Sequence, residues 1–312
     1  MKKKALISLI VPVFNEDKKT LDAFTAEIRK LHARLKKFDF ETILIDDSSK
    51  FESRQIVKKI CELNNWKAIF LSRNFGKEAA MRAGLEKSKG SAVVVLDVDL
   101  QDPVDIIPKM IEIWDLGTVP VVLAKRVNRD SDSFAKKFFA SNFYKLINKL
   151  SDVEIPVNVG DFRLMDRKVV NSALLLNERN VFMKGIWAWL GYPSVTLEFE
   201  RPNRTSGDTK FSFTRLFKIA VDGIASFSSL PIRVWSLVGL VVASLNLLFL
   251  IYIVLMKLSG SDVDEGYASI VVISGFSLSM NLICFGLIGE YLSRVFVEVK
   301  ARPHYIILEE IN

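Results

Sequence analysis

Two carboxylates and an amide, Asp97, Asp99 and Gln101, leave the end of an apolar run in the segment VVVLDVDLQDP (93–103). Four apolar residues put that run inside a sheet, where a carboxylate is costly unless its charge is compensated. A divalent cation is the obvious compensation. Carboxylate and amide oxygens suit a hard ion, Mg²⁺ or Mn²⁺, which keeps part of its water and bridges to diphosphate oxygens instead of being caged by protein. An isolated DxD also arises by chance or as a helix cap, so its weight depends on what surrounds it. No Walker A or GxGxxG segment accompanies it, which excludes a glycine-rich loop as the phosphate holder.

The surrounding elements are legible. ALISLIVPVF (5–14), FETILIDD (40–47), KAIFLSR (67–73) and SAVVVLDVDL (91–100) read as strands, separated by helical patterns around 18–38, 51–63 and 76–88. This alternation predicts an α/β domain with a doubly wound, mostly parallel sheet and helices on both faces. Ligands of such sheets bind beyond the carboxyl ends of the strands. The polar residues gather there: Asn15 and Glu16 after the first strand, Asp46 to Ser49 after the second, Arg73 and Asn74 after the third, and the DxD segment at the fourth.

Composition narrows the class. The 312 residues are 50% apolar and 25% charged, which excludes a disordered or low-complexity chain. Lys and Arg exceed Asp and Glu by 43 to 36, but a positive mean hydropathy beside that modest excess argues for a membrane and against nucleic acid. Cys61 and Cys284 are too far apart for a disulfide framework or a CxxC site, and His32 and His304 leave little for zinc or Ser-His chemistry. The opening MKKKALISLIVPVF is read as a buried strand, because its apolar run is short and has no small-residue cleavage site.

Val234–Met256 and Gly266–Gly289 carry no charged residue, and each exceeds the roughly 20 residues that cross a bilayer. They predict a two-helix C-terminal transmembrane hairpin. The flanks are basic and the short connection acidic, which places both termini and the first domain on the cytoplasmic side of the inner membrane. Small residues in both runs, Gly239, Ala243, Gly275, Ser279, Gly286 and Gly289, allow close helix packing and with it a homo-oligomer. The stretch 211–233 mixes phenylalanines with Arg215 and Lys218, as a helix lying in the headgroup plane would, and 134–150 has a similar basic amphipathic pattern. The expected organisation is 1–210 as the transferase-type domain, 211–231 as juxtamembrane helices, 232–290 as the hairpin and 291–312 as a cytoplasmic segment, running back along the surface against a neighbouring subunit.

VPVFNE (11–16), DDSS (46–49), LSRNFGKEAAMRAGL (71–85), LDVDLQDP (96–103), VGDFRLMDR (159–167), RPNRTSGDTKF (201–211) and GEYLSRVFVEVKARPHY (289–305) together resemble the family 2 polyprenyl-phosphate glycosyltransferases of GT-A fold, most closely the bactoprenol glucosyltransferases. The likeness spans nearly the whole chain in order. It departs at DDSS, where many relatives have Gly third, and at Asp208-Thr209, where relatives often have Ser. The resemblance implies transfer of glucose from UDP-glucose to undecaprenyl (polyprenyl) phosphate at the cytoplasmic membrane face, with inversion. It also implies roles: Pro12, Phe14 and Glu16 around the base and ribose, Asp46 at the base edge, Asp97 and Val98 on the ribose or sugar side, Asp99 and Gln101 on the metal, and Asp161 in the position of a catalytic base.

Chemistry adds to that assignment. A lipid phosphate is already anionic at neutral pH and scarcely needs a general base. The harder task is to bring it towards a diphosphate, so metal and cations must screen the repulsion. Arg201, Arg204 and Lys210 are the candidates where the acceptor headgroup arrives, and Arg126 is one against the donor diphosphate. The same basic residues would also be drawn to anionic lipid. Asp161 is expected mainly to position the acceptor or an arginine, Arg163. Lys77 and Glu78 read first as an exposed ion pair at a helix start and second as contacts to the donor region, and Asp46 and Asp47 also admit a purely structural role as a helix N-cap. The residues alone also admit a mannose or aminoarabinose donor, or a non-catalytic membrane-anchored nucleotide-sugar sensor. The absence of a QxxRW-type motif argues against a processive synthase.

Overall fold

Strand β1 (Leu6–Val13) is the spine of the molecule, and its sequence LISLIVPV is buried almost throughout because helices cover both faces of the sheet at this point. The structure, a computed structural model, describes residues 4–126, 159–176, 178, 183–199 and 266–311, and part of 235–259. After β1 come α1 (Lys18–Arg34), β2 (Asp39–Asp46), α2 (Phe51–Asn64), β3 (Lys67–Leu71), α3 (Lys77–Lys87) and β4 (Ala92–Val95). A 3₁₀ turn (Val104–Ile106) leads into α4 (Ile107–Asp115) and β5 (Val121–Arg126). Then follow β6 (Val159–Asp166), α5 (Arg167–Leu174), α6 (Met183–Trp189), β7 (Ser194–Phe199), α7 (Tyr267–Val299) and β8 (Ile307–Ile311).

Among the described residues the strands form one eight-stranded sheet in the order β7-β5-β6-β4-β1-β2-β3-β8. β2 and β4 flank β1, both parallel to it, so the winding reverses between β1 and β4. That reversal opens the crevice in which ligands of such sheets sit. The sheet is mostly parallel, with two exceptions: β6 runs antiparallel to both β4 and β5, and β8 runs antiparallel to β3. β8 brings residues from the expected 291–312 segment into the first domain's sheet, held by Lys58–Glu309 at 2.7 Å and by Lys87–Glu310.

Local sequence explains the layers. α1 starts where the Asp17 carboxylate accepts the Thr20 N–H at 2.7 Å, and it buries Leu21, Phe24, Ile28 and Leu31 at helical spacing. α2 ends at Asn65 in the left-handed region, a conformation Asn tolerates. α1, α2 and α4 cover one face around Leu9, Val11, Leu44 and Val94. α3, α5 and α6 cover the other around Ile10, Ile45, Val95 and Met165. Gly84 lets α3 lie directly on the sheet, because a Cβ there would stand 2.7 Å from Ile45 Cδ1.

The expected two-helix transmembrane hairpin is corrected by the structure: among the described residues no helix is long and apolar enough to cross a membrane. The uncharged run 266–289 is not an element of its own. It is the first part of α7, a 33-residue helix that continues through Glu290, Arg294 and Glu298, with Arg294 paired to Glu290 at 2.8 Å. Counting uncharged letters measures a stretch of sequence, whereas backbone hydrogen bonds bound the helix and carry it on into charged turns. The run 234–256 is described only in part, and the stretches 134–150 and 211–231 lie outside the described residues.

Candidate active site

The site lies where the strands β1, β2 and β4 end and β6 begins. Near the end of β1 Pro12 is half-buried, and beyond the strand Phe14 is 48% exposed and Asn15 takes a left-handed φ of 56°. Two bonds lace this loop to the one after β2: Asn15 N–H donates to Ser49 Oγ and Lys50 N–H to Asn15 Oδ1, both at 2.8 Å. The DDSS segment therefore supports the loop that carries Phe14 and Glu16.

Asp46 is fully buried at the end of β2. Its Oδ2 accepts the Ser49 N–H at 3.0 Å and lies 3.7 Å from Arg54 Nε, while among the described residues Oδ1 has no hydrogen-bond partner. Burial raises its carboxyl above the usual range, against the pull of Ser49 and Arg54. A buried carboxylate oxygen left open at a strand end can accept an N–H from a ligand.

Asp47 does something else. Its two oxygens accept the backbone N–H groups of Phe75 at 2.7 Å and Gly76 at 2.8 Å. It thus fixes the turn that starts α3, where Gly76 has a φ of +98° that L side chains rarely adopt. The first residue of α3, Lys77, places its Nζ 2.6 Å from Asp97 Oδ1 and 3.1 Å from Asp161 Oδ2. Burial alone would lower the Lys77 ammonium, but the two carboxylates outweigh it and raise it. The expected Lys77–Glu78 surface pair is therefore replaced: Glu78 instead accepts the Met183 N–H at 3.3 Å, tying α3 to α6.

The DxD segment forms a tight turn. Leu100 is left-handed at φ 55°, unusual for a bulky residue, and Gln101 folds back so that its N–H donates to Asp99 Oδ1 at 3.1 Å and its amide to Oδ2. Val98 is buried, and Asp97 receives a cation from Lys77 while its own N–H donates to Asp102 at 3.3 Å. Glu16 faces this turn across the crevice. Its carboxyl is raised first by burial, then by Asp99, Asp17 and Asp97. Negative charge has accumulated here.

Among the described residues no three metal-ligating side chains gather into an all-protein cage. The donor set that does exist, Asp99 and Gln101 beside Glu16 and Asp97, fits a cation held through one or two carboxylates with its remaining positions on phosphate and water, as Mg²⁺ prefers.

On β6, Asp161 and Arg163 share one face. Arg163 is buried, donates to Gly160 O at 2.8 Å and lies 5.3 Å over the Trp187 ring. Burial pushes its guanidinium down to about 10 despite the neighbouring Asp161 carboxylate. Arg126 ends β5 half-buried, at the end of the sheet where β6 enters. Arg201, Arg204 and Lys210 lie outside the described residues.

The structure thus brings together Glu16, Asp97, Asp99, Gln101 and Asp161. The sequence offers the donor region only as the second reading of Lys77, and it does not show that Asp47 ties the turn before α3. A signal for Lys77 was present, since a lysine in the first turn of a helix is disfavoured by the macrodipole and implies anions nearby.

The model of the family described as "Glycosyl transferase family 2" matches residues 8–174. The sequence is 43% identical over 302 residues to the SfII prophage-derived bactoprenol glucosyl transferase of Shigella flexneri, covering 96% of this chain and 97% of that protein. It is 42% identical over 302 residues to the prophage bactoprenol glucosyl transferase homolog of Escherichia coli (strain K12), covering 96% and 98%. Similar solved structures include mannosyl-3-phosphoglycerate synthase from Rubrobacter xylanophilus, with a TM-score of 0.49 and 16% identity over 71% of this chain and 73% of that one.

Proposed function

The chain belongs to glycosyl transferase family 2, and from that membership we propose that it transfers glucose from UDP-glucose to undecaprenyl (polyprenyl) phosphate at the membrane surface, with inversion at the sugar. The observation that carries this reading is the 42–43% identity, over nearly the full length, to proteins named as bactoprenol glucosyl transferases or a homolog of them. The acidic strand ends support it, because they supply the polar donor crevice that such a reaction needs.

In this reading the donor lies across the ends of β1, β2 and β4. Pro12 and the exposed Phe14 ring flank the base, and the open Asp46 Oδ1 accepts an N–H from the base edge. Asp97 and Val98 face the ribose and sugar, Glu16 closes the near side, and Arg126 meets the diphosphate. Asp99 and Gln101 would hold a divalent cation, Mg²⁺ or Mn²⁺, which when bound neutralises charge on the departing nucleoside diphosphate.

The acceptor is an anion at neutral pH, so the site has little proton to remove. Asp161, held by Lys77 and beside Arg163, then acts by position: it fixes cations that meet the acceptor phosphate. Arg201, Arg204 and Lys210 are, in this reading, further cations for the acceptor phosphate. Exposed apolar side chains of α7, including Phe276, Leu282, Phe285 and Leu292, supply the surface that meets the lipid phase.

The test is direct. Purified protein with Mg²⁺ or Mn²⁺ and undecaprenyl phosphate is given radiolabelled UDP-glucose, GDP-mannose or a UDP-aminoarabinose donor, and label is followed into the lipid phase. Transfer from UDP-glucose is expected. Transfer from another donor replaces the sugar, and metal-dependent nucleotide binding without transfer replaces the enzyme by a sensor.

A further inference from the structure

Strand register sets an electrostatic problem at the centre of the site. β4 and β6 are antiparallel, with Val95 opposite Arg163 at this end. β4 ends there, and two residues further on Asp97 reaches the same ammonium, Lys77 Nζ, as Asp161 of β6. Two carboxylates brought this close repel each other. Asp97 belongs to the donor side of the proposed reaction and Asp161 to the acceptor side, so both must face the crevice and neither can turn away.

Lys77 answers this. Its single ammonium contacts both carboxylates, at 2.6 and 3.1 Å, from a third element. Together with Arg163 it matches the charge of the two aspartates. Its placement is not left to a flexible chain, since the Asp47 carboxylate clamps the Phe75 and Gly76 N–H groups immediately before it. On the other side Glu78 ties the same helical turn to α6. A surface ion pair is worth little and has no such support. Lys77 is 42% exposed, so the ammonium also borders the space the substrates occupy.

We propose that Lys77 is a positioning residue of the transfer reaction, holding the donor-side Asp97 and the acceptor-side Asp161 in one fixed geometry across the crevice. The proposal rests on the function given above. It assigns Lys77 an effect on turnover, because a shifted Asp97–Asp161 pair misplaces the two reactants relative to each other, and misplacement of about 1 Å can cost 100-fold.

The experiment compares wild type with Lys77→Arg, Lys77→Met and Lys77→Gln in the full chain. Lipid-phase transfer kinetics from UDP-glucose are measured with Mg²⁺ present, and melting temperature is taken alongside. Lys77→Gln keeps a polar side chain but removes the charge, so it carries the test if Lys77→Met does not fold. The expected result is a fall in kcat of about 100-fold for Lys77→Gln, with donor KM within about threefold of wild type and Lys77→Arg within about tenfold of wild-type kcat. A Lys77→Gln variant with kcat within about threefold of wild type overturns the proposal, since loss of the charge then moves nothing that matters to the reaction. So does a raised donor KM at unchanged kcat, which would make Lys77 a donor contact. If wild type itself transfers no glucose, the function is overturned, and this role with it. If wild type transfers glucose and the variants are indifferent, only the role of Lys77 fails.

Discussion

Asp47 Oδ2 accepts the backbone N–H of Gly76 at 2.8 Å, joining the end of β2 to the start of α3. The same carboxylate holds the Phe75 N–H, so one side chain organises the turn from which Lys77 projects. Asp47→Ala leaves both N–H groups without that acceptor. Hydrogen bonds to a charged group contribute about 1.5–3 kcal/mol each, and water replaces part of the loss. The expected outcome is a destabilisation of roughly 2–3 kcal/mol in urea denaturation, together with lowered transfer activity. An unchanged midpoint would mean that the turn holds itself.

Asp99 stands at the exposed tip of the DxD turn with Gln101 folded onto it. Asp99→Ala is expected to lower transfer by at least about 100-fold. Chelation with EDTA should abolish activity in wild type, and added Mg²⁺ or Mn²⁺ should restore it. Full activity in EDTA would remove the metal from the mechanism.

Asp161→Asn keeps the shape of the side chain and removes its charge beside Lys77 and Arg163. A fall in kcat of about 100-fold is expected, with little change in donor KM. Near-normal turnover would exclude both an essential base and an essential charged positioner at this residue.

His32 predicts a pH dependence unrelated to the active site. It stacks on Phe40 with centroids 4.6 Å apart and lies 3.4 Å from Thr42 Oγ1. Burial lowers its imidazole from 6.5 to about 4. The unfolded chain therefore takes up a proton below about 6.5 while the folded chain resists until about 4. His32 costs no stability above pH 6.5, an increasing amount as pH falls, and a constant amount below 4. Glu16, Asp46 and Asp47, whose carboxyls are raised, act in the opposite direction, so the readout is a difference. Denaturation of wild type and His32→Phe from pH 7.5 to 4.5 should show the gap moving in favour of the variant on acidification. A gap independent of pH would contradict the burial of a neutral imidazole.

Much of the first domain was legible because its signals are local. The runs around Leu9, Leu44, Ile69 and Val94 are short, β-rich and bounded by polar turns, and the intervening helices keep an apolar stripe. The strand-end rule then placed Asp46 and Asp97 at the crevice without further help. Lys77 was read chiefly as half of a surface pair because its partners lie just beyond β4 and on β6, and no pattern in residues 71–85 reveals which strands will stand opposite. Asp47 was open between ligand and cap for the same reason. The insertion of β6 between β4 and β5 is also remote in origin, since antiparallel and parallel neighbours have similar buried sequences. At 266–289 local composition misled, because the uncharged run continues as one helix with the charged turns after it.

The position of β8 has a consequence for how the chain is made. Its pairing with β3 links Lys58 to Glu309 across 251 positions, and Ser72 N–H is satisfied by Ile306 O at 2.9 Å. When β1 to β4 emerge from the ribosome, the outer edge of β3 still has open N–H and C=O groups, and a bare edge strand is a template for wrong pairing. That hazard lasts until everything between has been synthesised and α7 has delivered β8. Closing so distant a contact is slow in itself. The sheet that carries the site is therefore completed late, and the nascent domain has to be shielded at this edge for most of its synthesis.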